Sequence, residues 1–538
     1  MSAIFTDARL RAKMGFGLLI ALLALTCSAK AILFDTLDPD CFWHLRVGEQ
    51  LARHGVGPLV DTLSFESLRE PWTPYSWLAE IGMKALWDAG GYRAAVAAQA
   101  MLVAGIITLM ALAALELCGS GIGAFDSARP EMNGVERRGR FFAVTAATVV
   151  GAILSLAYLS FRPASLAIFL LALNAWLLLR DRNRGERTMA AWCVPLITVI
   201  LVNVHLFAFV VPIWIVALWI GAIWERHRVS HVCDFRPLEV AEELAERFAE
   251  ATRRVRRYGI LLAACVLACL MTPMLGGVLR TIVHYSFADA MVAGPVIAEM
   301  RPFYAGAMGK ISALLVAIIL LCALRNRFRL RAGEWLWLGL SFVLLMQLGR
   351  LAPLFALIAV PVLARTMPAM SDRIFSRRAV QGALAAVLLL GGLRLVQAFP
   401  DAKQPLSVWV NRHGPTTPGY PCEAADFVAN NVKPSTGHLI NEFTWGGYLS
   451  WRLGDHFQVL LDGRTQLYPT EFWRKTYLGE SKETRGFLQQ VQADAAIVPV
   501  GKSRFRDSLL SLGWRSAHKD DRAEVLLPPE TSVANVND

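Results

Sequence analysis

The sequence predicts a polytopic α-helical membrane protein of about eleven transmembrane helices, followed by a small C-terminal extracytoplasmic α/β domain. Three observations predict it. The 538 residues are 55% hydrophobic, and their mean hydropathy of +0.43 is rarely reached by a soluble chain of this length. Apolar runs recur along residues 1–400, most of them near the length that crosses about 30 Å of hydrocarbon. The Lys and Arg residues cluster in short loops between those runs, which is the pattern of cytoplasmic loops under the positive-inside rule. That placement accounts for the net charge of +11, so no nucleic acid is expected as a partner.

The first apolar run covers 14–34. Ser28-Ala29-Lys30-Ala31 has the look of a cleavage site, but the run is long for a signal peptide and many spans follow it, so it is read as a retained helix. The later candidate spans are 93–117, 141–160, 164–180, 190–204, 206–224, 259–273, 309–324, 335–349, 351–365 and 380–398. The run 190–224 is too long for one helix and is divided at Asn203-Val204-His205.

Charge sets the topology. Arg9, Arg11 and Lys13 precede the first span and place the N-terminus in the cytoplasm. With alternating spans, the basic groups Arg137-Arg138-Gly139-Arg140, Arg180–Arg184, Arg253–Arg257, Arg325–Arg329 and Arg377-Arg378 all fall on that same side. An odd number of spans leaves residues 400–538 outside. The expected domains are therefore a transmembrane unit, 1–399, with a first outer loop at 35–92, and an outer domain, 400–538.

Three pieces lie outside the bilayer. The outer loop 35–92 holds two amphipathic stretches, around His44–Arg53 and Trp77–Trp87, rich in the Trp that favours membrane interfaces. The segment 225–258 reads as a charged amphipathic helix on the cytoplasmic headgroups. Residues 400–538 alternate between types. Ala424–Val432, Phe472–Tyr477, Thr484–Val491 and Ser503–Leu512 read as helices, and His438–Phe443, Gln458–Leu461 and Ala495–Val500 as strands. The nine Cys show no metal-ligand spacing; Cys41 and Cys422 would both face outward and could pair.

Candidate chemistry begins where the first helix leaves the membrane. Asp35, Asp38 and Asp40 lie within six residues, with Pro39 favouring an extended turn before it. Asp38 and Asp40 could point into one cavity and act as a general base, or share a divalent metal such as Mg or Mn. A helix-capping acidic turn is the other reading. The positive-inside rule does not explain Arg162, Arg301 or Arg350, which sit beside Pro or apolar residues at outer span ends. Ionisable groups there serve function, find a partner or snorkel to the interface, and a phosphate suits Arg, which can bind it bidentately. Asn203, His205, His284, Asp289 and Glu299 lie on the same face. His44, His284 and Glu299 could complete a metal site, although no ligand spacing supports one.

An acidic motif directly after the first span, a long outer loop, many spans and a terminal outer domain together resemble the GT-C superfamily. Its members include protein O-mannosyltransferases, aminoarabinose transferases of lipid A and oligosaccharyltransferases. More closely, the chain resembles a largely uncharacterised group of bacterial membrane proteins. The segments that carry this are Asp38-Pro39-Asp40-Cys41-Phe42-Trp43-His44-Leu45-Arg46-Val47-Gly48-Glu49, Pro71-Trp72 with Trp77-Leu78-Ala79-Glu80, Phe161-Arg162-Pro163, Asn203-Val204-His205, and Trp445-Gly446-Gly447-Tyr448-Leu449 with Asp462-Gly463-Arg464.

The resemblance implies a GT-C-like fold and an inverting glycosyltransferase at the outer face of a bacterial inner membrane. The donor would be a polyprenyl-phosphate-linked sugar and the acceptor an envelope component. Asp40 or Asp38 would be the catalytic base or metal ligand. His44, Arg46, Arg162, His205, Glu299, Arg301 and Arg350 would bind substrate. Membrane lipids and envelope-biosynthesis proteins are the other expected partners. Thr444-Trp445-Gly446-Gly447-Tyr448 is only loosely similar to the Trp-Trp-Asp-Tyr-Gly motif of oligosaccharyltransferases. It lacks the acidic residue and the second Trp, so recognition of a glycosylation sequon does not carry over. Two other readings keep the same surface without the chemistry: a transporter of lipid-linked saccharide and a non-catalytic scaffold.

Overall fold

The structure is a computed structural model that describes residues 8–33, 37–119, 140–233, 241–287, 297, 301–368, 371–411, 419–501 and 503–529. In chain order the first thirteen helices are α1 (Ala8–Leu33), α2 (Pro39–His54), α3 (Trp77–Gly119), α4 (Arg140–Ser155), α5 (Pro163–Asn183), α6 (Cys193–Val204), α7 (Val210–Cys233), α8 (Ala241–Leu270), α9 (Leu275–Phe287), α10 (Gly306–Arg325), α11 (Ala332–Gln347), α12 (Ala352–Thr366) and α13 (Arg378–Ala398). Every candidate span falls on one of them. Among the described residues, eight helices are long and apolar enough to cross a membrane, or nine if the broken pair Leu244–Leu270 and Leu275–His284 is one span. The apolar helices Met189–Val204 and Ala332–Gln347 are shorter. The chain is thus a multi-pass membrane protein.

By contacts the chain divides into two units. The first comprises Met1–Leu33, Ala97–Thr272 and Glu299–Phe399. At its centre is α12, in which every residue is buried, packed against α4, α5, α10 and α11. A helix that is apolar on all sides needs either lipid or protein around it. For α12 the surroundings are protein, whereas no residue in the hydropathy window of α13 is buried, so lipid is its expected neighbour.

The second unit comprises Phe34–Val96, Pro273–Ala298 and Pro400–Asp538. Here α14 (Leu406–Val410), α15 (Cys422–Asn431) and α16 (Gly446–Leu453) accompany β1 (His438–Asn441), β2 (Gln458–Val459), β3 (Ala495–Pro499), β4 (Arg515–Lys519) and β5 (Ala523–Leu527). The strand order is β2-β1-β3-β5-β4; β1 pairs in parallel with both β2 and β3, and β5 runs antiparallel to β3 and β4. The sequence pattern misses β4 and β5. Most of β4 is exposed, so it has no apolar alternation to read.

The segment that follows α2 is built into this sheet. Ser64 bridges Val459 in parallel. Phe65 N–H donates to Val459 at 3.1 Å, and Val459 N–H donates to Leu63 at 2.9 Å. One apolar core holds Trp43, Val47, Leu51, Leu59, Leu63 and Trp72 together with Ile440, Leu460, Leu467, Trp473 and Ala496. Beside it lies an ion triad whose three side chains are wholly buried. Arg464 donates to Asp61 at 2.7 Å and to Asp462 at 2.5 Å, and its guanidinium lies 5.4 Å from the Trp72 ring centre. Asp61 and the turn Asp462-Gly463-Arg464 lie far apart in sequence, and bringing these two segments together balances the charges of the triad. Cys41 and Cys422 are both buried free thiols and do not pair.

Candidate functional site

Three helix starts converge in the first unit, and each places a cation or a polar ring at its mouth. Proline explains two of them. Arg162 is the residue before α5, whose first position is Pro163. Arg350 lies in the short turn Gly349–Leu351 before α12, with Pro353 in the first turn. Proline lacks the N–H that a helix start leaves unbonded, and its fixed φ suits the first turn. The Arg residues are therefore set at helix mouths by the Pro residues that follow them.

His205 is the third. It sits between α6 and the 3-10 turn Leu206–Phe209 that leads into α7, and its Nδ1 accepts the Phe207 N–H at 3.2 Å. An Nδ1 that accepts carries no proton, so the neutral ring carries its proton on Nε2. Burial, and then the charges of Arg350 and Arg162, push His205 down to about 3. It is a neutral donor at any ordinary pH. The charges of Arg350 and Arg162 both act on His205, so the three groups share one neighbourhood. The two guanidinium groups stand at the N-terminal ends of α5 and α12, where the helix dipoles add to their attraction for an anion.

Arg301 joins this group through its backbone. Its carbonyl accepts the Gly349 N–H at 3.1 Å, and a β-carbon on Gly349 would strike that carbonyl. Its own side of the loop is exposed. Asn203 has a structural task, donating to Val199 and to the Met271 carbonyl, which ties α6 to the end of α8. Glu299 lies outside the described residues, as do Asp35 and Asp289.

The acidic turn belongs to the second unit. Asp38 is the N-cap of α2, and its Oδ1 accepts the N–H groups of Asp40 and Cys41 at 2.9 and 3.2 Å. Pro39 takes the first helical position, and Asp38 before it is extended, as the sequence predicts. Capping occupies Asp38, so the two carboxylates are not equivalent. Asp40 accepts Trp43 Nε1 at 3.0 Å and packs on Gly463, where a β-carbon would collide with its Oδ1. The motif Asp462-Gly463-Arg464 thus serves twice: its glycine receives Asp40, and its charges form the buried triad.

His44 is buried, its ring centre 3.5 Å from that of Trp43 at a tilt of 30°, and its Nδ1 lies 2.9 Å from Glu80 Oε1. Spacing does not single out Glu80, because its partner is thirty-six residues away. Arg46 is held in ion pairs with Glu49 at 2.7 Å and Asp455 at 3.3 Å. The Trp445-Gly446-Gly447-Tyr448 segment opens α16, with Trp445 Nε1 bonded to the Gly419 carbonyl and Tyr448 edge-on to Phe42. It is a packing element of the aromatic cluster around Phe42. Among the described residues, Asp38, Asp40, His44 and His284 do not come together as three ligands for one ion.

No family model matches the chain. No curated protein matches it. Among solved structures, the chain is similar to AglB, an archaeal oligosaccharyltransferase from Archaeoglobus fulgidus in complex with an inhibitory peptide and a dolichol-phosphate. The match is 13% identical, covers 89% of this chain and 69% of that one, and has a TM-score of 0.48. It is also similar to ArnT from Cupriavidus metallidurans in the apo state, at 13% identity over 96% of this chain and 98% of that one, TM-score 0.43. ArnT bound to undecaprenyl phosphate gives 14% identity over 95% and 98%, TM-score 0.36. These likenesses are loose ones, and the functional reading rests on the residues of this chain.

Proposed function

We propose that this chain is a GT-C-type glycosyltransferase that takes a sugar from a polyprenyl-phosphate-type lipid and passes it to an envelope acceptor at the outer face of a bacterial inner membrane. The observation that carries this reading is the convergence of Arg162, His205 and Arg350 at three helix starts beside apolar spans. Such a site suits an anion whose remainder lies in lipid. A lipid phosphate has both properties.

The proposed reaction is a single displacement. An acceptor hydroxyl gives its proton to the Asp40 carboxylate, and its oxygen attacks the anomeric carbon. The bond from that carbon to the phosphate oxygen breaks, and the configuration inverts. The lipid phosphate leaves with the electron pair. Arg162 and Arg350 hold its charge, and His205 Nε2–H donates to it without contributing a competing proton equilibrium. Asp40 is favoured over Asp38 as the base because capping already engages Asp38. His44, Arg46, Arg301 and Glu299 are proposed as substrate-binding residues, with Glu80 orienting His44. No step is assigned to a metal ion.

The test is binding of undecaprenyl phosphate to the purified chain in detergent, followed by native mass spectrometry. The lipid is expected to stay bound to the wild type and to bind at least tenfold more weakly to Arg162→Ala and Arg350→Ala. A wild type that does not retain it, or variants that retain it equally, would refute the reading.

A further inference from the structure

A second cluster of ligating side chains lies in the sheet-bearing unit and plays no part in the proposed sugar transfer. Glu423, in the first turn of α15, His518 on β4 and Asp520 in the β4–β5 turn offer one ligand atom each, all within 4.8 Å of one another. We propose that these three residues bind one divalent metal ion of the zinc type.

The imidazole is the decisive group. Its Nε2 is sealed from solvent and has no hydrogen-bond partner among the described residues. A buried polar atom left unbonded costs about 1–3 kcal/mol, and native structures rarely leave one so. A cation satisfies it. The ring is held for the purpose: Phe427, one turn along α15 from Glu423, stacks on it at 4.8 Å with only 11° between the planes. A register shift between Ser516 and His518 sets His518 opposite Val525, and such a bulge re-aims a side chain.

The carboxylates complete the set. Asp520 spends Oδ1 on the N–H groups of Arg522 and Ala523, each at 2.7 Å, which anchors its carboxylate and leaves Oδ2 to ligate. Glu423 is exposed and free to rotate inward. Two carboxylates and one neutral imidazole balance a charge of two. Zinc ligands about 2.1 Å from the ion sit about 3.4 Å apart when tetrahedral, a spacing that small side-chain rotations reach from a set already within 4.8 Å. Nitrogen favours zinc and its neighbours over calcium or magnesium, which prefer oxygen alone. The three ligands would staple the start of α15 to β4, which is an edge strand of the sheet. Exposed edges gain from such cover.

The full chain, purified in detergent and stripped with chelator, is titrated with zinc chloride by calorimetry. Bound zinc is then counted after desalting. The wild type is expected to hold one more equivalent than Glu423→Gln, His518→Ala or Asp520→Asn, or to hold it at least tenfold more tightly. Glu423 is exposed, and Asn at 520 keeps the acceptor for both N–H groups, so those two variants retain the fold. Equal stoichiometry and affinity in the wild type and these variants would overturn the proposal. So would the absence of zinc binding in the wild type, or equal binding of magnesium.

Discussion

Arg464 and Asp61 stand 403 residues apart in the chain, yet their side chains meet at 2.7 Å with no solvent exposure on either. The bond joins the segment that follows α2 to the turn that follows β2, at a point where neither charge has water to fall back on. Removing one partner leaves the other buried and unbalanced, which costs about 3–5 kcal/mol. Arg464→Ala is therefore expected to lower the thermal unfolding midpoint strongly and to expose residues 59–72 to protease. A midpoint within a degree or two of wild type would show that the triad contributes little.

The same pair sets an acid limit. Burial alone would raise the Asp61 carboxyl, but the charge and hydrogen bond of Arg464, with help from Ser67 and the Leu63 N–H, hold it below the ordinary range. A carboxylate lowered by folding stabilises the chain above its unfolded value, about 3.9, and loses that contribution as pH falls through its folded value. The stability gap between wild type and Asp61→Asn should shrink below about pH 4. Unfolding curves taken from pH 7 down to 3 check this; a constant gap speaks against it.

The C-terminal segment should not fold alone. Expressed as 400–538, it would lack Asp61, the strand pairing at Ser64 and the core residues Trp43, Leu59 and Trp72. Circular dichroism and hydrogen exchange of that fragment are expected to show no cooperative unfolding. Adding the 37–76 segment as a peptide should raise its protection.

Among the carboxylates of the acidic turn, Asp38 and Asp40 should separate in their effects. Asp38→Ala removes an N-cap, costing about 1 kcal/mol of stability. Asp40→Asn keeps the acceptor for Trp43 Nε1 and is expected to leave the unfolding midpoint near wild type while abolishing sugar transfer. Transfer at the wild-type rate by Asp40→Asn would remove Asp40 as the base.

His205→Phe tests the neutral donor. It removes Nε2–H and the acceptor for the Phe207 N–H. Binding of undecaprenyl phosphate is expected to weaken by roughly tenfold, the worth of about 1–2 kcal/mol for one hydrogen bond to a charged group. His205→Asn, which can still accept and donate, should recover part of it. No loss in His205→Phe would place the imidazole away from the anion.

The apolar helices were legible because a span of lipid-length hydrophobicity needs no partner to be recognised. The place of Arg162 and Arg350 at helix starts was legible too, since each is followed closely by a Pro. What the sequence hid depends on distant partners. Glu80 is an ordinary acid until α2 and α3 set it against His44. Asp61 reads as a loop residue until Arg464 reaches it. Asp38 and Asp40 look alike in sequence, and only the start of α2 distinguishes a capping carboxylate from one that is not capping. Gly446 and Gly447 carry no such signal in sequence, yet they open α16 and let it approach Leu461 and Pro39 closely.

Leu63, Ser64 and Phe65 take their place at the edge of β2 through Val459 and Leu460. During synthesis from the N-terminus, this stretch leaves the ribosome long before its partner exists. It must wait, unpaired, while the intervening helices are inserted one after another. Completion of the sheet is thus a late event that reports on all the steps before it, and a chain truncated or stalled before Val459 carries an unfinished edge that protein quality control can detect.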